Sequence, residues 1–435
     1  VRDAVGAAAD AAVALRRRLH AHPEVGWTEH YATWQLAEAL APLRPDVLVT
    51  GADLYRGVPR MGLPAPEVAE AAVRDARTAG VPQEWLDRTA GGLTGLVAVL
   101  DSGVPGPEVT LRADIDALPV AESDDPGHAP AAAGFRSGRP GLSHACGHDG
   151  HAATLWLAAA ALRALGEPRR GRVRLVFQPA EEGARGAAAL VAAGWLDDTD
   201  VFLAQHNASR DWFTVGDVSE GVHDILATTK VDAHFTGVEA HAALAPERGR
   251  SALTAAGAVA LLVPALPRRS GVQTVTAVGE LHAGTSRNVV PGSAVLRAEL
   301  RSTDESEVAD LTARFGTLVA GVGAALEVGA RTEVVGRAAA ADSDPALMQR
   351  VGAVIDAVPG LRRVPSMQFD ASDDAATMMR HVQRRGGLAA YLHVGNAFPG
   401  ATHSPRFDID ENILAIGAQV LVAATVDASS GAVTV

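Results

Sequence analysis

Cysteine and lysine are nearly absent: the 435 residues include one cysteine, Cys146, and of 38 basic residues only Lys230 is a lysine. One thiol cannot build an internal disulfide framework, nor supply the paired Cys-x-x-Cys ligands of a closed structural zinc site. A reducing compartment, the cytoplasm, is therefore expected. The scarcity of lysine beside abundant arginine reads as genomic base composition rather than function. No basic tract follows a phosphate backbone and the formal net charge is −13, so nucleic acid is not an expected partner. Aromatic residues make up 4 % of the chain, too few to mark a pocket by pattern. The opening Val1-Arg2-Asp3 places an acid where a secretory leader carries basic residues, and no run reads as long and apolar enough for a bilayer. Neither a signal peptide nor a membrane partner is expected. A Gly-x-Ser-x-Gly elbow and a His-Glu-x-x-His helix are both missing, which removes serine hydrolases and mononuclear metalloproteases of that type.

What is present is enough apolar sequence, 48 % of residues, for more than one core, and the length leads us to expect two domains. Helical spacing covers 2–21 and 30–41. Short β-rich runs at Gly95–Asp101, Val109–Ala113, Arg172–Gln178 and Asp200–Gln205 alternate with helical stretches at 149–166 and 185–194, the pattern of an α/β sheet flanked by helices. Between 223 and 335 the rhythm changes to strand 227–236, helix 248–266, strands 272–283 and 289–301, helix 304–323 and strand 325–334. That β-α-β-β-α-β order predicts a ferredoxin-like α+β domain, 223–335, inserted into a catalytic domain made of 1–222 and 336–435. The Gly- and Pro-rich segment 51–92 shows only a helix at 66–79 and reads as a cover over something unidentified.

Asp114 and Asp116, Glu181 and Glu182, and His206 each fall just after an expected strand, where open α/β sheets bind ligands. Ser143-His144-Ala145-Cys146-Gly147-His148-Asp149-Gly150-His151 gathers a thiolate, imidazoles and a carboxylate. Further donors stand in Gln178-Pro179-Ala180-Glu181-Glu182-Gly183, at His206 and at His403. Five donors of mixed softness suit two cations better than one. Glu181 and Glu182 are either two solvated residues at a helix N-terminus or a ligand beside a base. Asp114 and Asp116 alternate, so both face one side of an extended segment, where they either cap a strand end or orient ligating imidazoles.

With these motifs assembled the chain resembles the M20 metallopeptidases, in particular the amidohydrolase branch that cleaves N-acyl and N-aroyl amino acids. The resemblance runs through Leu-Arg-Ala-Asp-Ile-Asp-Ala-Leu-Pro at 111–119, His-Ala-Cys-Gly-His-Asp-Gly-His at 144–151, Phe-Gln-Pro-Ala-Glu-Glu-Gly at 177–183, Arg-Asn-Val-Val-Pro at 287–291 and His-Ser-Pro-Arg-Phe at 403–407. It implies a dinuclear centre with ligands Cys146, His148, Glu182, His206 and His403, Glu181 as general base and Asp114 and Asp116 behind the ligands. It also implies two divalent ions, manganese first and zinc as the alternative, and an inserted domain that pairs subunits, as a homodimer or with a paralogous chain. His241 is then an oxyanion donor from the partner subunit, and Arg287 and Asn288 are substrate-binding residues. Arg60-Met61-Gly62-Leu63-Pro64, the run 227–237 and Asp374-Ala375-Ala376-Thr377-Met378-Met379 narrow the resemblance to p-aminobenzoyl-glutamate hydrolases within that branch, with hippurate-type or indole-acetyl-amino-acid hydrolysis, or a silent scaffold subunit, as alternatives. Asn207-Ala208-Ser209 and Ser372-Asp373-Asp374 depart from the family pattern and are taken to bear on the acyl side of the substrate.

Overall fold

Runs of valine, leucine and alanine buried on both faces form the middle of an eight-stranded sheet in the computed structural model, which describes residues 1–166, 170–208, 210–397 and 400–430. The strand order is Val47–Thr50, Leu96–Asp101, Arg172–Gln178, Glu108–Asp114, Val201–Ala208, Leu388–Gly395, Asp217–Ser219, Arg362–Val364. The four central strands run parallel, from Arg172–Gln178 to Leu388–Gly395, and antiparallel partners flank them on both sides. Helices Ala9–Ala21, His148–Ala164 and Asn412–Ser429 cover one face; Gly186–Ala192 and Ala375–Arg384 cover the other.

The expected strands are all present, within a few residues. The helix predicted over 2–21 is two, Arg2–Gly6 and Ala9–Ala21, because Gly6 adds backbone entropy where the chain turns. Asn412–Ser429 corrects the statement on apolar runs: by length and composition it could cross a bilayer. Here Ile413, Leu414, Val420 and Leu421 are buried and the helix packs on His148–Ala164, as a core helix does.

Residues 227–338 form a second sheet of four strands in the order Gly329–Ala338, Ala227–Thr236, Ser293–Ser302, Thr274–Ala283. Strand Ala227–Thr236 alternates strictly toward its end: Val231, Ala233 and Phe235 enter a core under helices Ala252–Leu262 and Glu305–Ala325, while Lys230, Asp232 and His234 take the opposite face. The first helix is shorter than predicted because the Ser251 hydroxyl accepts from the Thr254 amide and starts it there, and Pro264 follows its end. The last strand lies at Gly329–Ala338 rather than 325–334, since Glu305–Ala325 runs on to Ala325 before the chain turns at Glu327 (φ 54°).

The segment 51–92 holds three α-helices, Ala52–Tyr55, Pro66–Thr78 and Gln83–Arg88, and a 3-10 turn at Ala90–Gly92. What it covers is now visible. The Met61 carbonyl accepts from the Trp27 indole at 2.9 Å, Arg60 lies over the rings of Trp27 and Tyr55, and the Gly62 carbonyl accepts from Arg185 at 2.8 Å. Gly62, Leu63 and Pro64 thereby wall a cavity shared with Glu182 and Lys230.

Candidate metal centre

His148 opens the helix His148–Ala164, and Gly147 before it is left-handed (φ 89°). A side chain there would also collide with the Asn207 amide, so glycine is what lets Cys146 and His148 approach the end of strand Val201–Ala208. Cys146 Sγ lies 3.3 Å from His206 Nε2, while His206 Nδ1 donates to the Asn207 carbonyl at 2.6 Å. That bond leaves Nε2 as the ligating nitrogen. Asp149 is not a donor to the centre: its carboxylate is turned back onto Arg16 (2.7 Å) and His20 (2.8 Å) and fastens the helix start to Ala9–Ala21.

The Glu181–Glu182 pair is not a solvated helix start, since the next helix begins only at Gly186. After strand Arg172–Gln178 the chain turns through Ala180 (φ 56°), and the backbone amides of Glu181 and Glu182 donate to the two oxygens of Asp116 at 3.1 and 3.0 Å. The same Asp116 lies 3.3 Å from His148 Nδ1. One carboxylate thus positions both the imidazole and the glutamate turn. Asp114 lies 3.8 Å from His148 Nε2 and also anchors a second imidazole. It takes His151 Nδ1 at 2.6 Å and Arg112 at 2.8 Å, and His151 Nε2 in turn accepts from the Asn207 backbone at 3.1 Å. Asn207 also donates to the Cys146 carbonyl at 2.9 Å, so this departure from the family pattern braces the ligand loop. Ser209 lies outside the described residues. Ser372, Asp373 and Asp374, by contrast, do line the pocket.

The ligand atoms fall into overlapping groups: Cys146, His148 and His206; Cys146, Glu182 and His403; His148, Glu181 and Glu182. His403, on a left-handed loop residue (φ 63°) tied to the Ala145 carbonyl, brings Nε2 to 3.7 Å from Glu182 Oε1, and His148 Nε2 is 3.8 Å from the same oxygen. His148 Nε2 and Glu182 Oε1 are buried with no hydrogen-bond partner among the described residues. Polar atoms buried in this way are paired in folded proteins, and one cation held between these two would satisfy both. The donor set, one thiolate, three imidazoles and a carboxylate, fits borderline divalent ions.

Without ions the site is electrostatically strained. Burial pushes the Cys146 thiol well up and Glu182 up to about 7, and it depresses His206 and His403. Burial also opposes charge on His148, but Asp114 and Cys146 override it and hold that imidazole well above its ordinary value. Burial, reinforced by Asp373 and Glu182, holds Glu181 well above the carboxylate range. Ion binding must expel the protons from Cys146, His148 and Glu182, so affinity should rise with pH. We expect divalent-ion affinity to increase at least about tenfold from about pH 6 to about pH 8, with proton release seen by calorimetry in two buffers. A flat profile would contradict this ligand set.

His241, Arg287 and Asn288 are not brought to this pocket within one chain. All three are exposed on one two-stranded platform of the inserted unit, knitted by Ala242 N to Asn288 O (2.9 Å) and Val290 N to Ala240 O (2.8 Å). His241 Nδ1 accepts from the amides of Ala243 and Leu244, both at 3.1 Å, so its proton sits on Nε2 and faces outward. Lys230, which reads in the sequence as a trace of base composition, is the residue missed: it lines the same pocket as Cys146, Glu181, Glu182, His206 and His403. Its signal was its solitude.

The peptidase family M20/M25/M40 profile matches residues 110–427. The chain is 40 % identical over 409 residues to an indole-3-acetyl-aspartic acid hydrolase of Enterobacter agglomerans and 38 % identical over 409 residues to one of the subunits of p-aminobenzoyl-glutamate hydrolase from Escherichia coli, each alignment covering 93 % of both chains. A crystal structure of an aminobenzoyl-glutamate utilization protein from Klebsiella pneumoniae superposes with a TM-score of 0.82 at 35 % identity, covering 97 % of both chains.

Proposed function

Because the chain belongs to peptidase family M20/M25/M40, whose metal-dependent amide hydrolysis it shares, we propose that its substrate is an aromatic-acyl amide of an acidic amino acid, p-aminobenzoyl-glutamate first. The observation that carries the chemistry is the convergence of Cys146, His148, Glu182, His206 and His403 beside a carboxylate, Glu181, that none of the three imidazoles engages closer than 4.0 Å. The substrate follows from full-length similarity to two hydrolases whose named substrates both join an aromatic acyl group to a dicarboxylic amino acid. Indole-3-acetyl-aspartate is the second reading, favoured by the 40 % identity.

Bound divalent cations supply Lewis acidity at the scissile carbonyl and a lowered pKa for water. Glu181 takes the proton of the attacking water and returns it to the departing amine, so one carboxyl serves both transfers. Manganese is proposed as the native ion, with zinc as the alternative on the softness of Cys146. A ligating Cys146 must stay reduced, which fits the cytoplasm.

We further assign subunit pairing to the inserted unit, with itself or with a paralogous chain. Leu253, Leu261 and Leu262 on its Ala252–Leu262 helix are exposed, Leu261 by 82 %, the kind of apolar face that a second chain covers. Pairing places His241 Nε2–H within reach of a neighbouring centre as the oxyanion donor, with Arg287 and Asn288 beside it for the substrate's carboxylate or amide.

After manganese reconstitution, p-aminobenzoate release from p-aminobenzoyl-glutamate should exceed hydrolysis of hippurate at least about tenfold in kcat/KM. Turnover confined to N-acetyl amino acids or dipeptides would overturn the assignment, and no turnover of any amide would leave only the scaffold alternative.

A further inference from the structure

Lys230 has no part in the proton transfers, yet it stands in the wall of the reaction pocket with its side chain 28 % exposed. Among the described residues its ammonium makes one hydrogen bond, to the Glu182 carbonyl at 2.6 Å, and Glu299 is 4.0 Å away. An ammonium has three donors. Two strand positions away on the same face, Thr228 pairs across the sheet with Arg301, just as Lys230 pairs with Glu299. Arg301 gives one guanidinium nitrogen to Glu299 at 2.7 Å, but its Nε is buried with no partner among the described residues. The hydroxyls of Thr228 and Ser372, in the same pocket, are also buried and unpartnered among the described residues. Three buried donors without a partner among the described residues, and an ammonium with a single hydrogen bond, therefore line one pocket, and two of the four groups are cationic.

The rest of the lining sharpens the contrast. Glu181, Glu182, Asp373 and Asp374 make the pocket acidic, and Lys230 and Arg301 are its only lysine or arginine among the described residues. Buried donors are satisfied by an acceptor, and a carboxylate, with two oxygens and about four lone-pair sites, is the acceptor that matches this set. Arginine stands at every other basic position of the chain, so the one retained lysine marks a place where a compact ammonium, able to reach the Glu182 carbonyl and still donate into the pocket, is needed.

We propose that Lys230 and Arg301, with Thr228 and Ser372, form the subsite for the second carboxylate of a dicarboxylic amino acid, and that Lys230 sets the preference for glutamate and aspartate amides over neutral ones. This rests on the amide-hydrolase reading above. It adds a selectivity that the metal ligands and Glu181 cannot provide, because they act on the amide that every N-acyl amino acid has.

The single lysine makes the test specific. Acetylation by N-hydroxysuccinimidyl acetate can modify only one side-chain amine, so mass spectrometry of the Lys230 peptide reads occupancy directly in the metal-loaded full chain, with no need for turnover. Glutarate should slow acetylation at least about tenfold, whereas butyrate at equal concentration, with one carboxylate, should change it less than about twofold. In kinetics, Lys230→Met should raise KM for p-aminobenzoyl-glutamate by about 10- to 100-fold with kcat nearly unchanged, and p-aminobenzoyl-alanine should shift less than about threefold. Lys230→Arg should recover only part of the loss. Equal protection by glutarate and butyrate, or equal losses on both conjugates, would overturn the proposal and give Lys230 a structural or α-carboxylate role. If the wild type cleaves neither conjugate, the substrate assignment falls while the glutarate comparison still decides the subsite.

Discussion

Glu181→Gln is expected to retain its metal ions and its fold while turnover drops by about 10³- to 10⁴-fold. The amide keeps the volume and planar shape of the carboxyl, and the turn that positions residue 181 is held by backbone bonds, Glu181 N and Glu182 N to Asp116 and Ala180 N to Glu29, none of which involves the Glu181 side chain. What the substitution removes is a group that can accept and return a proton. Glu181 is suited to that task by its surroundings. Burial, with Asp373 and Glu182 close by, raises its proton affinity well above that of a free carboxylate, so a proton taken from water is held long enough to be passed to the amine. Bound cations would draw that affinity down toward the working pH. The neighbouring substitution, Glu182→Gln, separates the roles. Glu182 Oε1 is the buried, unpartnered atom facing both His148 and His403, so its loss should show first as reduced metal content. Elemental analysis and kinetics on the two variants give opposite patterns if the roles are right. Near-normal turnover in Glu181→Gln would remove it from proton transfer.

The metal chemistry is legible in the chain because its carriers are local: Cys146 and His148 sit in one turn, at the start of helix His148–Ala164, and Glu181 and Glu182 in another, just after strand Arg172–Gln178. Alternation also makes the inserted sheet readable, as in Val231, Ala233 and Phe235 against Lys230, Asp232 and His234. Pairings that exist only in three dimensions are not legible. The strands Asp217–Ser219 and Arg362–Val364 are three residues each, too short to carry a period; they pair with each other, and Asp217–Ser219 also pairs with Leu388–Gly395. Asp114 and Asp116 look equivalent because they alternate, yet one serves His151 and the other the Glu181–Glu182 turn, a distinction set by which strand end lies opposite. Segment 51–92 is readable only as far as its Pro66–Thr78 helix, because the stretch that walls the cavity is held through backbone carbonyls, Met61 to Trp27 and Gly62 to Arg185, which leave no pattern in the side chains. Lys230 escapes a sequence reading for another reason. Base composition and functional need leave the same trace in one sequence, and only position separates them.

Mixing Glu181→Gln with His241→Ala subunits should restore activity that neither variant has alone. Within one chain His241 is exposed on the inserted unit, outside the lining of the metal pocket, and no rotamer change closes that gap, because its Nδ1 is held by the amides of Ala243 and Leu244. The same two bonds fix the tautomer that presents Nε2–H outward, ready to donate to a developing oxyanion. If that oxyanion belongs to the partner's site, His241→Ala alone should cost about 10²- to 10³-fold in kcat. In a two-fold dimer each site takes Glu181 from one chain and His241 from the other. A mixed dimer then has one site lacking both groups and one with both intact. Random reassociation makes half the dimers mixed, so about one quarter of wild-type activity should return. The result is large against two nearly dead parents, and a donor that acted within its own chain would predict none of it. Reassociation without any recovery, verified by mass spectrometry of tagged subunits, would place the complete site in a single chain and return His241 to a loop-stabilising role.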